Sequence, residues 1–233
     1  MKDVNTAKKL PLRDFTGHSS TIKTKEIGEM ALKDEVLRRT GDQRAFHGPG
    51  APTGVIVDFW RWAFSDLLVN TTRGVFAEWM VARLLDIPLA PDRVEWDAHD
   101  LVTSEGVKIE VKCGSYRQRW HTHHPSSKII FSGLRARTWS AETGLFADER
   151  SYNSDLYVFC VQTETDASKW DAFDLNQWRF YVLRRDAVVK LNQDSVGLVT
   201  LRRMAPEMDS PAFRSVMLKE IAAAAAEAMV SSN

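Results

Sequence analysis

The sequence predicts a mixed α/β domain in which a β-sheet lies between layers of helices. Two observations indicate this class. Helical patterns flank a central stretch in which short runs rich in Val, Ile, Phe and Tyr alternate with polar spacers. The chain has 233 residues, of which 44% are hydrophobic and 27% charged, so it can bury a substantial core.

The first part of the chain differs in pattern from the rest. Residues 1–54 mix charges, and we interpret them as a peripheral N-terminal arm with one helix near residues 25–39. The arm ends in HGPGAPTG, which predicts a loop because Pro and Gly interrupt helices and strands. Residues 55–233 then form the folded domain. No stretch is typical of a secretory signal or a membrane span, so we expect a cytoplasmic protein without a membrane partner.

The segment NTTRGVFAEWMVARLLDIP predicts a well-defined helix. It begins with three cap-type residues and ends before Pro88. Apolar residues cover nearly all of its circumference, so we expect it to be buried. Glu78 lies on the same stripe as Val75 and Ala82. A carboxylate in such surroundings is costly unless it meets a cation or strong hydrogen-bond donors.

The remaining elements follow from periodicity. Strands are predicted at residues 128–133, 155–163 and 178–184, and SVGLVTLRRM is a candidate for an additional edge strand. The tail, residues 211–230, predicts an Ala-rich amphipathic helix. Four of its apolar residues are expected to face inward: Phe213, Val216, Met217 and Ile221.

The stretch WDAHDLVTSEGVKIEVKCGSY, residues 96–116, predicts a β-hairpin. Ser-Glu-Gly at residues 104–106 is typical of a type I turn followed by a left-handed glycine. If Thr103 pairs with Val107, Leu101 faces Ile109, and both are apolar. Alternation then makes the side from Val107 to Cys113 the core face.

The other face of the hairpin is polar. In this register Asp100 stands opposite Glu110, and two facing carboxylates repel each other. A divalent cation removes that repulsion, because Mg²⁺ is bound in proteins by one or two carboxylates together with water and phosphate. Lys112 points to the same side and can orient a water or offset charge on a phosphate. The alternative is an exposed strand face on which lysines shield the glutamate. By parity Asp97 falls on the core side.

Charge is distributed unevenly although the formal net charge is zero. Zero net charge argues against a protein that coats nucleic acid through bulk charge. Residues 112–139 contain six basic residues and no acidic one, whereas residues 142–174 contain eight acidic and two basic residues. The basic segment predicts a nucleic-acid-binding face, and the alternative is a solvated surface. Its candidate contacts are Tyr116, Arg117, Arg119, His121, His123 and Lys128.

A zinc site is a weaker interpretation of the histidines. His121, His123 and His124 lie close together, but no well-spaced cysteine or carboxylate completes a zinc-binding pattern. Cys113 is predicted on the core face of the hairpin.

The hairpin and the helix before it resemble the PD-(D/E)xK nuclease superfamily, also called restriction-endonuclease-like. The resemblance covers about residues 70–185. Asp100, Glu110 and Lys112 in DL…IEVK match the core motif, and Glu78 matches the acidic residue of the first core helix. Here a histidine stands where the motif has proline before the first aspartate.

This resemblance implies a three-layer core, with a central mixed β-sheet flanked by helices, and Mg²⁺-dependent hydrolysis of phosphodiester bonds in DNA. Mn²⁺ is able to substitute. Asp100, Glu110 and the carbonyl of Val111 are the implied metal ligands, and Glu78 braces a metal or Lys112. Gln118 resembles a glutamine beside the active site of several branches and would hold the substrate backbone.

The biological role favoured by these expectations is restriction or phage defence. A homodimer would cut both strands of a duplex, and a methyltransferase or another defence-system protein is the expected partner. A DNA-repair or junction-resolving nuclease is the closest alternative. A non-catalytic DNA-binding module with the same fold is another, and an unrelated α/β enzyme with the hairpin as scaffold is the third.

Overall fold

The computed structural model describes residues 41–89, 98–119, 128–140 and 143–231. The chain divides into two compact units, residues 1–57 and 58–233. In the first unit the predicted loop is confirmed: Arg44 and Val55 form an isolated antiparallel bridge that closes it. The helix expected near residues 25–39 lies outside the described residues.

The second unit is built on a four-stranded mixed sheet, which confirms the predicted α/β class. In order across the sheet, its strands are β1 (Leu101–Val102), β2 (Lys108–Ser115), β6 (Leu156–Gln162) and β7 (Trp178–Arg184). Strands β1 and β2 are antiparallel, β2 and β6 parallel, and β6 and β7 antiparallel. Every residue of β6 is buried, as expected for a strand covered on both faces.

Helices pack on both faces of this sheet, because successive strand side chains point to opposite sides. On one face Met80 of α2 and Phe213 of α5 belong to one core cluster. On the other face Val188 of α3 and Leu201 of α4 belong to a second cluster. The helices are α1 (Ile56–Phe64), α2 (Asn70–Leu84), α3 (Arg185–Leu191), α4 (Leu198–Met204) and α5 (Ser210–Ser231).

Four shorter strands form two small sheets beside the central one. They are β3 (Ile130–Ser132), β4 (Trp139–Ser140), β5 (Leu145–Phe146) and β8 (Ser195–Gly197). The strand predicted at residues 128–133 pairs with β8 and not with the central sheet. The prediction of an edge strand over SVGLVTLRRM is wrong beyond Gly197. There Leu198 and Leu201 are buried at helical spacing, so the chain continues as α4.

The C-terminal helix agrees closely with its prediction. Phe213, Met217 and Ile221 are buried on one stripe, and Val216 packs against the same core cluster. In the part of the chain that the structure describes, no helix combines the length and the hydropathy that a bilayer crossing requires.

The predicted burial of α2 on nearly all sides is wrong. The side chains of Val75 and Trp79 are 39% and 46% exposed. The buried stripe includes Arg73 and Met80 instead. Only one side of the helix packs against the sheet. Because apolar residues occur on nearly all sides of the helix, the sequence did not indicate which side that is. Glu78 is therefore half-buried beside the exposed stripe.

Candidate functional site

The hairpin register is confirmed. Leu101 pairs with Ile109, and the Thr103 N–H donates to the Val107 carbonyl over 3.0 Å. Gly106 ends the turn with φ +83°, in the left-handed region that favours glycine. The apolar partners and the turn residues therefore fixed which side chains of β2 face outward.

Asp100 stands just outside β1 and is held by backbone groups of β2. Its N–H donates to the Ile109 carbonyl over 3.1 Å. Its carboxylate accepts a 2.7 Å hydrogen bond from the Val111 N–H. The expected ladder pairing of Asp100 with Glu110 is not formed, because the ladder begins at Leu101. The side chain is instead anchored at the edge of the sheet.

The Asp100 carboxyl group interacts electrostatically with the three other residues predicted for the site. Burial is the largest cause that raises its pKa to about 7, and the carboxylates of Glu110 and then Glu78 raise it further. The Val111 N–H and the Lys112 ammonium act in the opposite direction. Two carboxylates and one ammonium thus lie within electrostatic range of Asp100. Together, Glu78, Asp100, Glu110 and Lys112 are called the acidic cluster below.

Lys112 and Glu110 form a close ion pair on the outward face of β2. The Lys112 Nζ lies 2.6 Å from Glu110 Oε1, and the two side chains are 21% and 16% exposed. The Ser154 hydroxyl donates to the other Glu110 oxygen over 3.5 Å. At Gly133, with φ +73°, a Cβ would lie 3.5 Å from the Lys112 Nζ. The ammonium is therefore held between a carboxylate and the loop that follows β3.

The acidic cluster supplies carboxylate oxygens, which are the type of ligand that Mg²⁺ takes in proteins. Among the described residues, no group of three or more His, Cys, Asp or Glu is arranged to hold a metal ion. A complete protein cage is therefore not formed by these residues. Mg²⁺ commonly takes only one or two carboxylates and completes its shell with water and substrate phosphate. Glu110 raises the pKa of Asp100 through like-charge repulsion, and a bound cation would relieve that repulsion.

Gln118 is buried, and its amide is bonded within the protein. Its Nε2 donates to the Ser115 carbonyl over 3.1 Å, and its Oε1 accepts from Arg73 over 3.2 Å. None of these hydrogen bonds involves the acidic cluster. The contacts connect the end of β2 to α2, the helix that carries Glu78.

Arg73 was missed by the sequence interpretation. Its side chain is 1% exposed and donates to the carbonyls of Leu67 and Leu68 and to the side chain of Asn70. Its Nε has no partner among the described residues. Arginine is rarely buried, so its place in a helical pattern gave no signal. The cap-type Asn70 binds this arginine, and α2 begins without a side-chain cap.

Cys113 lies beside this buried arginine. Burial raises the pKa of its thiol to about 11, although Arg73 acts in the opposite direction. Cys113 is therefore a protonated thiol at neutral pH, which agrees with its predicted place on the core side.

The predicted nucleic-acid contacts are spread over several local environments. The Tyr116 hydroxyl accepts from Arg202, and the Arg117 guanidinium donates to the Thr165 carbonyl, each over 3.3 Å. Arg119 pairs with Asp66 at 3.2 Å. Lys128 is exposed. His121, His123 and His124 lie outside the described residues, as does Asp97.

Comparison with known proteins gives no further identification. No model of a protein family and no curated protein sequence matches this chain.

Proposed function

We propose that this chain is a Mg²⁺-dependent endonuclease that hydrolyses phosphodiester bonds in DNA, with a restriction-endonuclease-like PD-(D/E)xK core. The observation that carries the proposal is the arrangement on β2, where the Val111 N–H holds the Asp100 carboxylate and Lys112 pairs with Glu110 at 2.6 Å. Glu110 and Glu78 both raise the pKa of Asp100. Perturbed carboxyl groups gathered with a lysine are typical of active sites. A mixed sheet flanked by helices is compatible with this core.

Asp100 and Glu110 would hold the metal, with the Val111 carbonyl as a further ligand. A bound Mg²⁺ would supply a more acidic water and stabilise charge on the scissile phosphate. The Val111 N–H fixes the Asp100 carboxylate, so the pair is oriented before substrate arrives. Glu78 adds negative charge from α2 and braces the metal or Lys112.

Lys112 is the catalytic cation of the proposal. Its pairing with Glu110 keeps the ammonium beside the place where the phosphate would sit. From there it orients the attacking water and offsets the charge that grows on the phosphate. Gln118 is assigned a different role from the one first expected: because its amide is bonded to Arg73 and Ser115, it positions α2 against β2.

The biological role proposed is restriction or phage defence. Duplex cleavage would use a homodimer, since a two-fold axis in the protein matches that of duplex DNA. Sedimentation of the full chain with and without duplex measures that assembly. A panel of duplex, single-stranded, flap and four-way substrates separates this role from DNA repair or junction resolution, because preferential cutting of the branched substrates favours the latter.

The test of the proposed function is cleavage of plasmid DNA by the purified chain with Mg²⁺ and with chelator. We expect cutting only with Mg²⁺, and a loss of about a hundredfold or more in Lys112→Ala with DNA binding retained. Lys169→Ala is the control, because Lys169 also pairs with a carboxylate, Asp166 at 3.7 Å, but on an exposed loop. Binding of DNA without any Mg²⁺-dependent cutting by the wild type would refute the enzyme and favour a non-catalytic DNA-binding module, and equal cutting by the wild type and Lys112→Ala would refute the catalytic role of Lys112.

A further inference from the structure

A two-stranded ribbon projects from the domain beside the acidic cluster. It consists of residues 136–140 and 143–151, contains β4 and β5, and is called the β4–β5 ribbon below. At its base Ala136 and Ser151 exchange two backbone hydrogen bonds of 3.0 Å. Residues 136–139 and 143–151 are all exposed. The ribbon therefore extends into solvent and does not pack on the core.

The base of the ribbon lies next to the acidic cluster on both strands. Just before the first strand, a Cβ at Gly133 would lie 3.5 Å from the Lys112 Nζ. Just after the second strand, the Ser154 hydroxyl donates to the Glu110 carboxylate over 3.5 Å. A partner that binds the ribbon is thus held close to the acidic cluster.

The ribbon exposes apolar side chains that no core explains. Trp139 and Phe146 are register partners and so share one face, where they are 38% and 46% exposed. Leu145 is 67% exposed. In the described part of the chain, β4 and β5 form a sheet of only two strands, and such a ribbon is marginally stable alone in water. These side chains therefore indicate a surface that a partner covers.

The charges of the ribbon are complementary to each other. The first strand carries Arg137, and the second carries Asp148 and Glu149, all three exposed. Among the described residues, none of the three forms an ion pair or a side-chain hydrogen bond. The other cation of the ribbon, Arg150, pairs with Asp194 at 2.9 Å. A basic strand beside an acidic one suits a second copy of the same ribbon better than a polyanion such as DNA.

We propose, on the basis of the homodimer in the proposed function, that the β4–β5 ribbon is the dimer interface and that the ribbon of a second copy covers it. Edge-to-edge pairing about a two-fold axis would join each strand to its own copy and bring like charges together. Face-to-face packing about an axis along the ribbon instead places the strand of Arg137 over the acidic strand of the partner. It also buries the pair of Trp139 and Phe146. Both ribbons then point the same way, so the two acidic clusters lie on one side of the dimer.

Sedimentation equilibrium of the full chain, in chelator and without DNA, measures this assembly. We expect the wild type to form a reversible dimer of the 26.4 kDa chain. Arg137→Glu and the double variant Asp148→Lys/Glu149→Lys should each raise the Kd of the dimer by about tenfold or more, because like charges then meet at two symmetric places. An equimolar mixture of the two variants should regain a Kd within about threefold of the wild type, because opposite charges face each other again at both places.

Arg83→Glu is the matched control. Arg83 is exposed on α2. That helix packs in the first core cluster, whereas Leu134 and Tyr152, which flank the base of the ribbon, belong to the second cluster on the opposite face of the sheet. We expect the Kd of the dimer to be unchanged in Arg83→Glu. Thermal melting like that of the wild type establishes that each variant is folded.

A monomeric wild type would refute the interface. An unchanged Kd in either ribbon variant would refute it too, as would a mixture that associates no better than its components. If the wild type is monomeric and Arg137→Glu weakens its binding of duplex DNA, the ribbon contacts DNA and not a second copy. Cutting with Mg²⁺ by a monomeric wild type would leave the nuclease without this interface. A ribbon-dependent dimer that cuts nothing would leave the interface without the nuclease.

Discussion

At the scale of the residue, Asp100 carries an electrostatic conflict that the fold maintains. The Val111 N–H stabilises its charged form, whereas burial and two neighbouring carboxylates destabilise it. The raised pKa shows that the unfavourable contributions prevail. Such a conflict is typical of groups kept for function, because a neutral side chain would serve the fold better.

The resulting prediction concerns the stability of the metal-free protein. The pKa of Asp100 is about 7 in the folded state and 3.8 in a model peptide. Its contribution to the free energy of unfolding is therefore fully present below pH 3.8 and is lost as the pH rises through about 7. Asn at this residue still accepts from Val111 and never ionises. We expect Asp100→Asn to be more stable than the wild type at pH 8, with a smaller difference at pH 5.

Urea denaturation in chelator at the two pH values measures this difference. The same stability gap at pH 5 and pH 8 would contradict the electrostatic description of Asp100.

At the residue scale, the sequence predicted those side chains whose face follows from the alternation along a strand. It did not predict those whose position depends on long-range packing. Glu110 and Lys112 were predicted because the hairpin register fixes their face. Arg73 and the role of Gln118 were not, because their hydrogen bond joins residues 45 apart in the chain. No local pattern records such a contact.

At the scale of the element, the hairpin depends on one residue with unusual backbone geometry. Gly106 has φ +83°, and the space around its would-be Cβ is open, so only the backbone conformation penalises a side chain. Gly74 in α2 also has open space around it, but it has no such dihedral. The two glycines therefore form a matched pair in which the same substitution has opposite effects.

We expect Gly106→Ala to lower the free energy of unfolding by about 1 kcal/mol, because a left-handed residue with a Cβ is strained. Gly74→Ala should raise it by about 1 kcal/mol, because alanine favours a helix over glycine. Urea denaturation of both variants gives the two values. Stabilisation by Gly106→Ala would show that the turn differs from the one described.

The elements themselves were predicted to different degrees, for physical reasons. The strand at residues 178–184 and the C-terminal helix are long enough for their periodicity to be clear. The run at residues 195–204 is short and apolar, and such runs do not distinguish strand from helix. Its first part, β8, forms backbone hydrogen bonds with β3, and its second part, α4, buries Leu198 and Leu201 in the second core cluster.

At the scale of the whole molecule, the net charge is zero and many of the charged side chains form ion pairs. Lys112, Arg119 and Arg135 are each paired with a carboxylate, so the basic segment predicted from sequence is partly neutralised. The DNA binding that we propose would then depend on a limited number of unpaired cations. The sequence gives the number of charged residues, but only the fold determines which of them form ion pairs.

The central claim is that Asp100 and Glu110 form a site for a divalent cation. Calorimetric titration of the full chain with Mn²⁺ tests it most directly, with Asp100→Asn and the exposed loop variant Asp171→Asn in parallel. We expect saturable binding by the wild type, the same binding by Asp171→Asn, and a loss of about tenfold or more in Asp100→Asn. Absence of binding by the wild type, or equal binding by Asp100→Asn, would contradict the account.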